Sequence, residues 1–375
     1  MKAECYQNRV IPSEAPWSVR MTESVMRRDP ILPVKWAYDY GVIWKGIEMV
    51  WQKTGEKAYF DYIKTNMDIY VDSDGNIGHY RLQEYNIDHI NNGKLLFPLY
   101  KETKAEKYKK AAYLLRHQLL HHPRTTEGGF WHKFIYPHQM WLDGLYMGSP
   151  FYAEFAKTFN EPEAFDDIAN QIILMDKHAR DHKTGLLYHG WDESRGMKWS
   201  DDKTGCSPNF WGRAMGWYAV AIVDVLDYFP EDHPKRGQII EILSSMIAAL
   251  AQVQDRETGL WYQVVDQGGR EGNYLEASAS CMYIYSIAKA VDKGYIDEKN
   301  IEMAKRAYAG VLEKFIEVDD QGLVNLNGTC SVAGLGGNPY RNGSFEYYIS
   351  EPVVKNDPKG IGAFILAAAE IEKHL

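Results

Sequence analysis

A chain of 375 residues with 45% apolar content can bury a large core, while a net charge of −9 and the lack of any basic run argue against nucleic acid as a partner. An anionic small ligand stays compatible with that charge if a few cations are local to its site. The opening residues MKAECYQNRVIPSEAPW lack the apolar core of a secretory signal, and no apolar run reaches the length of a membrane span, so a cytoplasmic protein with no membrane partner is expected.

In chain order, two kinds of helix alternate. The stretch 16–28 reads as an outer helix, followed by an inner one, apolar or small on nearly all sides, over 36–54. Then come outer 57–70, inner 86–101, outer 104–120, inner 141–158, outer 162–178 and inner 209–229. The next outer helix carries Ile239, Leu243, Met246, Ile247 and Leu250 at helical spacing. Inner 274–292 follows, then outer 298–316 with Ile301, Ala304, Tyr308, Val311 and Phe315, and last inner 358–374.

Glycine-centred turns punctuate this alternation. Residues 181–192 (DHKTGLLYHGWD) and 255–266 (DRETGLWYQVVD) match at Asp, Thr, Gly, Leu, Tyr and the final Asp in one register. Weaker copies stand at 74–80 (DGNIGHY), 126–133 (TEGGFWHK) and 320–325 (DQGLVN), each followed by a short extended stretch. A helix apolar all round must be buried all round, and six inner helices achieve this if the array closes. The expected fold is therefore all-α, an (α/α)6 barrel with short extended segments in the loops at one mouth. An open superhelical stack would leave a polar concave face on the inner helices. With no linker or charge block to divide it, the whole chain 1–375 reads as one domain.

In such a ring the inner helices run parallel and their N-termini meet at one mouth, where free N–H groups and dipoles favour an anion. That places Asp39, Tyr40, Asp88, His89, Asp143, Trp211, Arg213 and Glu276 around one cavity. Asp143, in MWLDGLYMGSP, reads either as a helix cap or as a general acid whose proton affinity Trp141, Tyr146 and Met147 would raise. Asp88, in NIDHINNG, faces the same choice. Arg213, in FWGRAMGW, either pairs with an Asp of a neighbouring helix or grips a substrate carboxylate, with Trp217 one turn on to stack on a sugar. His189 stands where the twin turn has Gln263, which favours ligand contact. The 11 Trp, 26 Tyr and 13 Phe suit sugar stacking and core filling alike.

Other features are declined. His117 and His121, four apart near a helix end, read as dipole partners and not as a metal site. GLGGNP at 334–339 lacks the setting of a phosphate loop and reads as a rim loop, part of 331–345. Cys5, Cys206, Cys281 and Cys330 are scattered, without zinc-type spacing, and suit reduced thiols.

IDHINNG, WLDGLYMGSP, LLYHGW and WGRAMGW together resemble the unsaturated rhamnogalacturonyl hydrolases, and more distantly the unsaturated glucuronyl hydrolases, over nearly the whole chain. The resemblance implies an (α/α)6 barrel that needs no metal or organic cofactor and acts on short unsaturated galacturonyl-rhamnose fragments; a monomer is expected. It implies Asp143 as proton donor and Asp88 as its catalytic partner, with Tyr40, His132, Lys133, Trp141, His189, Trp211, Arg213 and Trp217 lining the saccharide site. The implied chemistry is hydration of the C4=C5 double bond. A direct-hydrolysis glycosidase, a sugar epimerase and a non-catalytic saccharide-binding protein are the alternatives.

Overall fold

The computed structural model describes residues 6, 7, 9–32 and 35–375; Cys5 lies outside them. The alternation is realised as α1 (Trp17–Arg28), α2 (Tyr38–Thr54), α3 (Lys57–Met67), a 3-10 run Ile87–Leu95 continuing into α4 (Leu96–Thr103), and α5 (Glu106–His121). There follow α6 (Leu142–Phe159), α7 (Ala164–Ala179), α8 (Gly212–Val225), α9 (Arg236–Gln252), α10 (Ala277–Asp292) and α11 (Ile301–Lys314). A short α12 (Phe345–Ser350) precedes α13 (Pro358–Ile371).

The inner elements close a ring. The 3-10 run packs between α2 and α6, α8 between α6 and α10, and α13 between α10 and α2. Every residue of α8 is buried, as a helix apolar on all sides requires. At the seam Gly362 sits so close to α2 that a Cβ there would lie 2.5 Å from the Val42 carbonyl carbon, so only glycine lets the two backbones meet. Outer helices cover the inner ones: α1 on α13, α3 on α2, α5 on α4, α7 on α6 and α11 on α10.

Helix ends follow local chemistry. Gly55, at φ 71°, ends α2 in the left-handed region. Asp357 caps α13 by accepting from the Lys359 N–H, with Pro358 in the first turn.

Three features depart from expectation. The inner helix anticipated over 86–101 is 3-10 for its first half, where the Asn91 and Asn92 side chains donate to the Tyr38 and Ala37 carbonyls instead of facing water. The rim stretch ends in α12. The repeated turn also has a third copy, residues 201–206 (DDKTGC), in the same α7–α8 link as the copy at 181–192. In all three, one Asp oxygen accepts from both the N–H and the hydroxyl of the Thr three residues on: Asp181 with Thr184, Asp201 with Thr204, Asp255 with Thr258. Gly185, Gly205 and Gly259 then turn the chain at φ 73–77°. The motif is a turn device rather than a record of hairpin duplication.

Candidate active site

Two short strands place the central residues. β1 (Gln139–Trp141) pairs antiparallel with β2 (Gly190–Asp192), Trp141 opposite Gly190, so the residue that opens α6 and the residue before β2 are brought together. Asp143 then stands in the first turn of α6, 9% exposed, with its Oδ2 3.1 Å from Nε2 of the fully buried His189. The contact is too far off axis for a hydrogen bond, and both atoms lack another partner. On the other side of its ring, His189 Nδ1 is 2.8 Å from the hydroxyl of Tyr348 in α12.

Asp88, in the 3-10 run, is clamped. Its Oδ2 accepts from the Lys133 ammonium at 2.7 Å and its Oδ1 lies 3.5 Å from His132 Nε2. Burial opposes its ionisation, but the Lys133 ammonium outweighs that and holds the carboxyl below the usual range. Burial pushes His132 itself down to about 4, so it is neutral at working pH. Its ring stacks on Trp141 at 4.2 Å, and Trp141 on Tyr136 at 5.1 Å, a flat wall of the kind sugar faces pack against. Gly144 leaves room for that histidine, since a Cβ there would stand 3.2 Å from its Nδ1.

Trp211 is fixed by its N–H to the Gln263 side chain at 3.1 Å and lies 4.7 Å from the His189 ring. Arg213 has no carboxylate partner among the described residues, so of its two readings the ion pair with a neighbouring Asp is not formed. Its guanidinium donates to the carbonyls of Cys330 and Ser331 and to the Ser278 hydroxyl, and its Nε has no partner. Trp217, 1% exposed, stacks on Tyr146 at 4.5 Å as part of the barrel's packed interior.

Some candidates lie elsewhere. Tyr40 packs on Trp44 and faces Tyr70 and Asp39, away from the two carboxylates. Its neighbour in the first turn, Tyr38, is the one whose hydroxyl feels Arg213, Asp88 and Asp143, with its ring edge-on to Trp217 at 6.3 Å. Asp39 faces Lys359 and Asp357. His89 lies beside Glu84, and Glu276 caps α10 through the Ala279 N–H while holding the Cys330 N–H. The wall expected around Asp143 from Tyr146 is also absent, because that hydroxyl faces Asp224, Lys45 and Lys289. Tyr38, Tyr136 and Tyr348 were not singled out from the sequence; only Tyr38, next to a predicted helix start, carried a usable signal. No group of three His, Cys, Asp or Glu among the described residues could hold a metal ion.

The cluster therefore combines one carboxyl with an open valence, a clamped carboxylate, two buried imidazoles and a stacked aromatic wall, an arrangement suited to proton transfer on a saccharide. Similar proteins are known. A family 105 glycoside hydrolase of C. acetobutylicum ATCC 824 superposes with a TM-score of 0.94 at 51% identity, covering 96% of this chain and 100% of that one. The unsaturated rhamnogalacturonyl hydrolase YesR of Bacillus subtilis (strain 168) is 27% identical over 299 residues, 78% of this chain and 80% of that protein. The unsaturated glucuronyl hydrolase of Bacillus sp. GL1, at 14% identity and a TM-score of 0.66 over 91% of this chain and 87% of that one, shares the fold. The profile of Glycosyl Hydrolase Family 88 matches residues 17–375, and the chain belongs to that family of glycosidases built on an (α/α)6 toroid.

Proposed function

We propose that this enzyme hydrates the C4=C5 double bond of an unsaturated galacturonyl residue at the end of a short rhamnogalacturonan fragment, so releasing the neighbouring rhamnose. The observation that carries the reading is the asymmetry of the two carboxyls. Asp88 is held as a carboxylate by Lys133, whereas Asp143 has a free oxygen beside His189. Direct glycosidic hydrolysis asks for two carboxyl groups that both act at the anomeric centre. Hydration of a vinyl ether asks for one.

The chemistry runs as follows. Asp143 gives its proton to C4, and the ring oxygen supports the positive charge that develops at C5. The Asp143 carboxylate then takes a proton from a water as its oxygen bonds to C5, which restores the acid. The hemiketal formed at C5 opens to a ketone; the hemiacetal at C1 then expels the aglycone alcohol and becomes an aldehyde. Tyr348 holds His189 beside the Asp143 carboxyl, and Asp88, fixed by Lys133, accepts from sugar hydroxyls. Trp141 and Trp211 flank the ring, and Arg213 with the inner helix N-termini attracts the uronate carboxylate. Preference for rhamnose-linked galacturonate is supported by the likeness to YesR. Cys206, Cys281 and Cys330, buried and unpaired, fit a reducing compartment.

The test uses an unsaturated galacturonyl-rhamnose disaccharide in D2O. Loss of ultraviolet absorbance with free rhamnose and one deuterium at C4 of the product is expected for the wild type, with turnover falling roughly 10²–10⁴-fold in Asp143→Asn. Release of rhamnose with the absorbance intact would instead mean direct hydrolysis, and the reading would fail.

A further inference from the structure

A cleft of about 540 Å3 opens on the rim beside the candidate active site, at the outer end of its aromatic wall. Exposure rises along that wall. His132 and Trp141 are buried, whereas Tyr136, stacked on Trp141, is half-buried and reaches the cleft. The facing side is built from the rim stretch and the end of α12, with Asn338, Tyr340, Arg341, Tyr347 and Glu351 in the lining. Tyr340 is 42% exposed, which suits a ring that packs on a sugar face.

Arg341 is held there by neutral oxygens and not by an opposite charge. Its Nε donates to the Gly336 carbonyl at 2.9 Å, and its Nη2 to the Tyr136 hydroxyl at 3.0 Å and the Leu335 carbonyl at 3.2 Å. Its Nη1 has no protein partner and is not sealed from solvent. Among the described lining residues the one carboxylate is Glu351, and it takes the Tyr347 hydroxyl while making no ion pair with Arg341. A guanidinium fixed by neutral acceptors keeps its whole charge and a free edge, which is the geometry that meets a carboxylate. The Arg341 charge is also felt at Lys133 and at Tyr348, so the cleft adjoins the groups around Asp88 and His189 and does not belong to another face of the barrel.

We propose that this cleft is a subsite for the aglycone of longer substrates, where Arg341 grips the carboxylate of a second uronic acid and Tyr136 and Tyr340 meet sugar faces. The inference rests on the proposed reaction, because the unsaturated end must sit at Asp143 for the rest of the chain to leave along the wall. In a chain that alternates galacturonate and rhamnose, the next acid follows the released rhamnose. The first anion beyond the reacting ring therefore lies one sugar further out, and Arg341 stands beyond the stacked rings on that path. Asn338 and Glu351 are left to meet sugar hydroxyls.

The test follows ultraviolet absorbance on the unsaturated galacturonyl-rhamnose disaccharide, on the tetrasaccharide that repeats it, and on that tetrasaccharide with its internal galacturonate reduced at the carboxyl. Wild type should show a KM about tenfold lower for the acidic tetrasaccharide than for the reduced one. Arg341→Gln should make the two tetrasaccharides alike and leave the disaccharide constants unchanged, and turnover of the disaccharide also reports that the variant is folded. Tyr340→Ala, which leaves the partners of the guanidinium in place, should weaken both tetrasaccharides several-fold and spare the disaccharide. Equal KM for the two tetrasaccharides in wild type, or a loss in Arg341→Gln that falls as heavily on the disaccharide, would mean that Arg341 only shapes the rim and would overturn the subsite. Absorbance that persists with the disaccharide would strike the hydration reading itself, and the subsite with it.

Discussion

The two mouths of the barrel solve opposite problems with similar residues. At the helix N-termini, Asp143 Oδ2, His189 Nε2, His132 Nδ1 and Arg213 Nε are buried and unpartnered. At the helix C-termini, Lys289, Asp224 and Tyr285 satisfy one another within 2.7–3.0 Å, and the unmet atoms reduce to Lys94 Nζ and the Tyr146 hydroxyl. Buried polar atoms are mostly paired, so a cluster of open valences around one carboxyl at the N-terminal mouth marks where a ligand completes the structure. Charge density alone does not separate the two ends; the pattern of pairing does.

The contrast can be broken at several points. After Asp143→Asn, the largest expected loss is His189→Ala, which removes the imidazole that lies beside the Asp143 carboxyl. It should lower kcat about 10²-fold with KM little changed, and Tyr348→Phe should lower it less, since only the anchor of the imidazole is lost; steady-state kinetics check both. Next in size, Lys133→Met takes away the ammonium that keeps Asp88 ionised. Burial then dominates, the folded-state pKa of Asp88 rises, and the acid limb of the kcat/KM profile should move to higher pH.

At the other mouth, Lys94→Met should stabilise the fold, because the ammonium is buried without a hydrogen-bond partner. Its folded pKa of about 7 lies below the unfolded value, so the cost of burying the charge applies in full below pH 7 and vanishes as pH rises through the unfolded pKa. A gain of about 3 kcal/mol near pH 6, shrinking steadily as pH rises above 7, is expected in denaturant titrations. The smallest effect belongs to the turn motif. Asp255→Ala removes two hydrogen bonds to Thr258 and should cost about 1 kcal/mol without changing kcat.

Much of this was legible in the sequence because it is written in periodicity. The alternation of all-round apolar and amphipathic helices implied a closed ring, and parallel inner helices put Asp88, Asp143, Trp211 and Arg213 at one end before any contact was known. What escaped depended on rotation and on pairing. Tyr38 and Tyr40 are two residues apart at a helix start, about 200° around the axis, so an error of one or two residues in the boundary exchanges which one faces the cavity. Tyr348 reaches His189 from a six-residue helix beyond a glycine-rich stretch that no pattern announces. Asp224 and Lys289 carry no local signal within otherwise apolar helices, because the partners that make them tolerable lie 61–65 residues away. The choice between the two readings of Arg213 was closed to the sequence for a related reason: its partners are backbone carbonyls, invisible in side-chain identity.

Gly362 pressed against Val42 has a consequence for how the molecule is made. A chain emerging N-terminus first presents α2 more than 300 residues before α13 can reach it. Until that late contact forms, the inner faces of α2 and α10 have no neighbour at the seam, and neither mouth has a complete rim. Assembly of the ring is thus governed by its least local contact, which links slow closure to transient exposure of apolar helix faces. A bulkier residue at 362 would act first on the yield of closed rings, and only through that on the chemistry inside them.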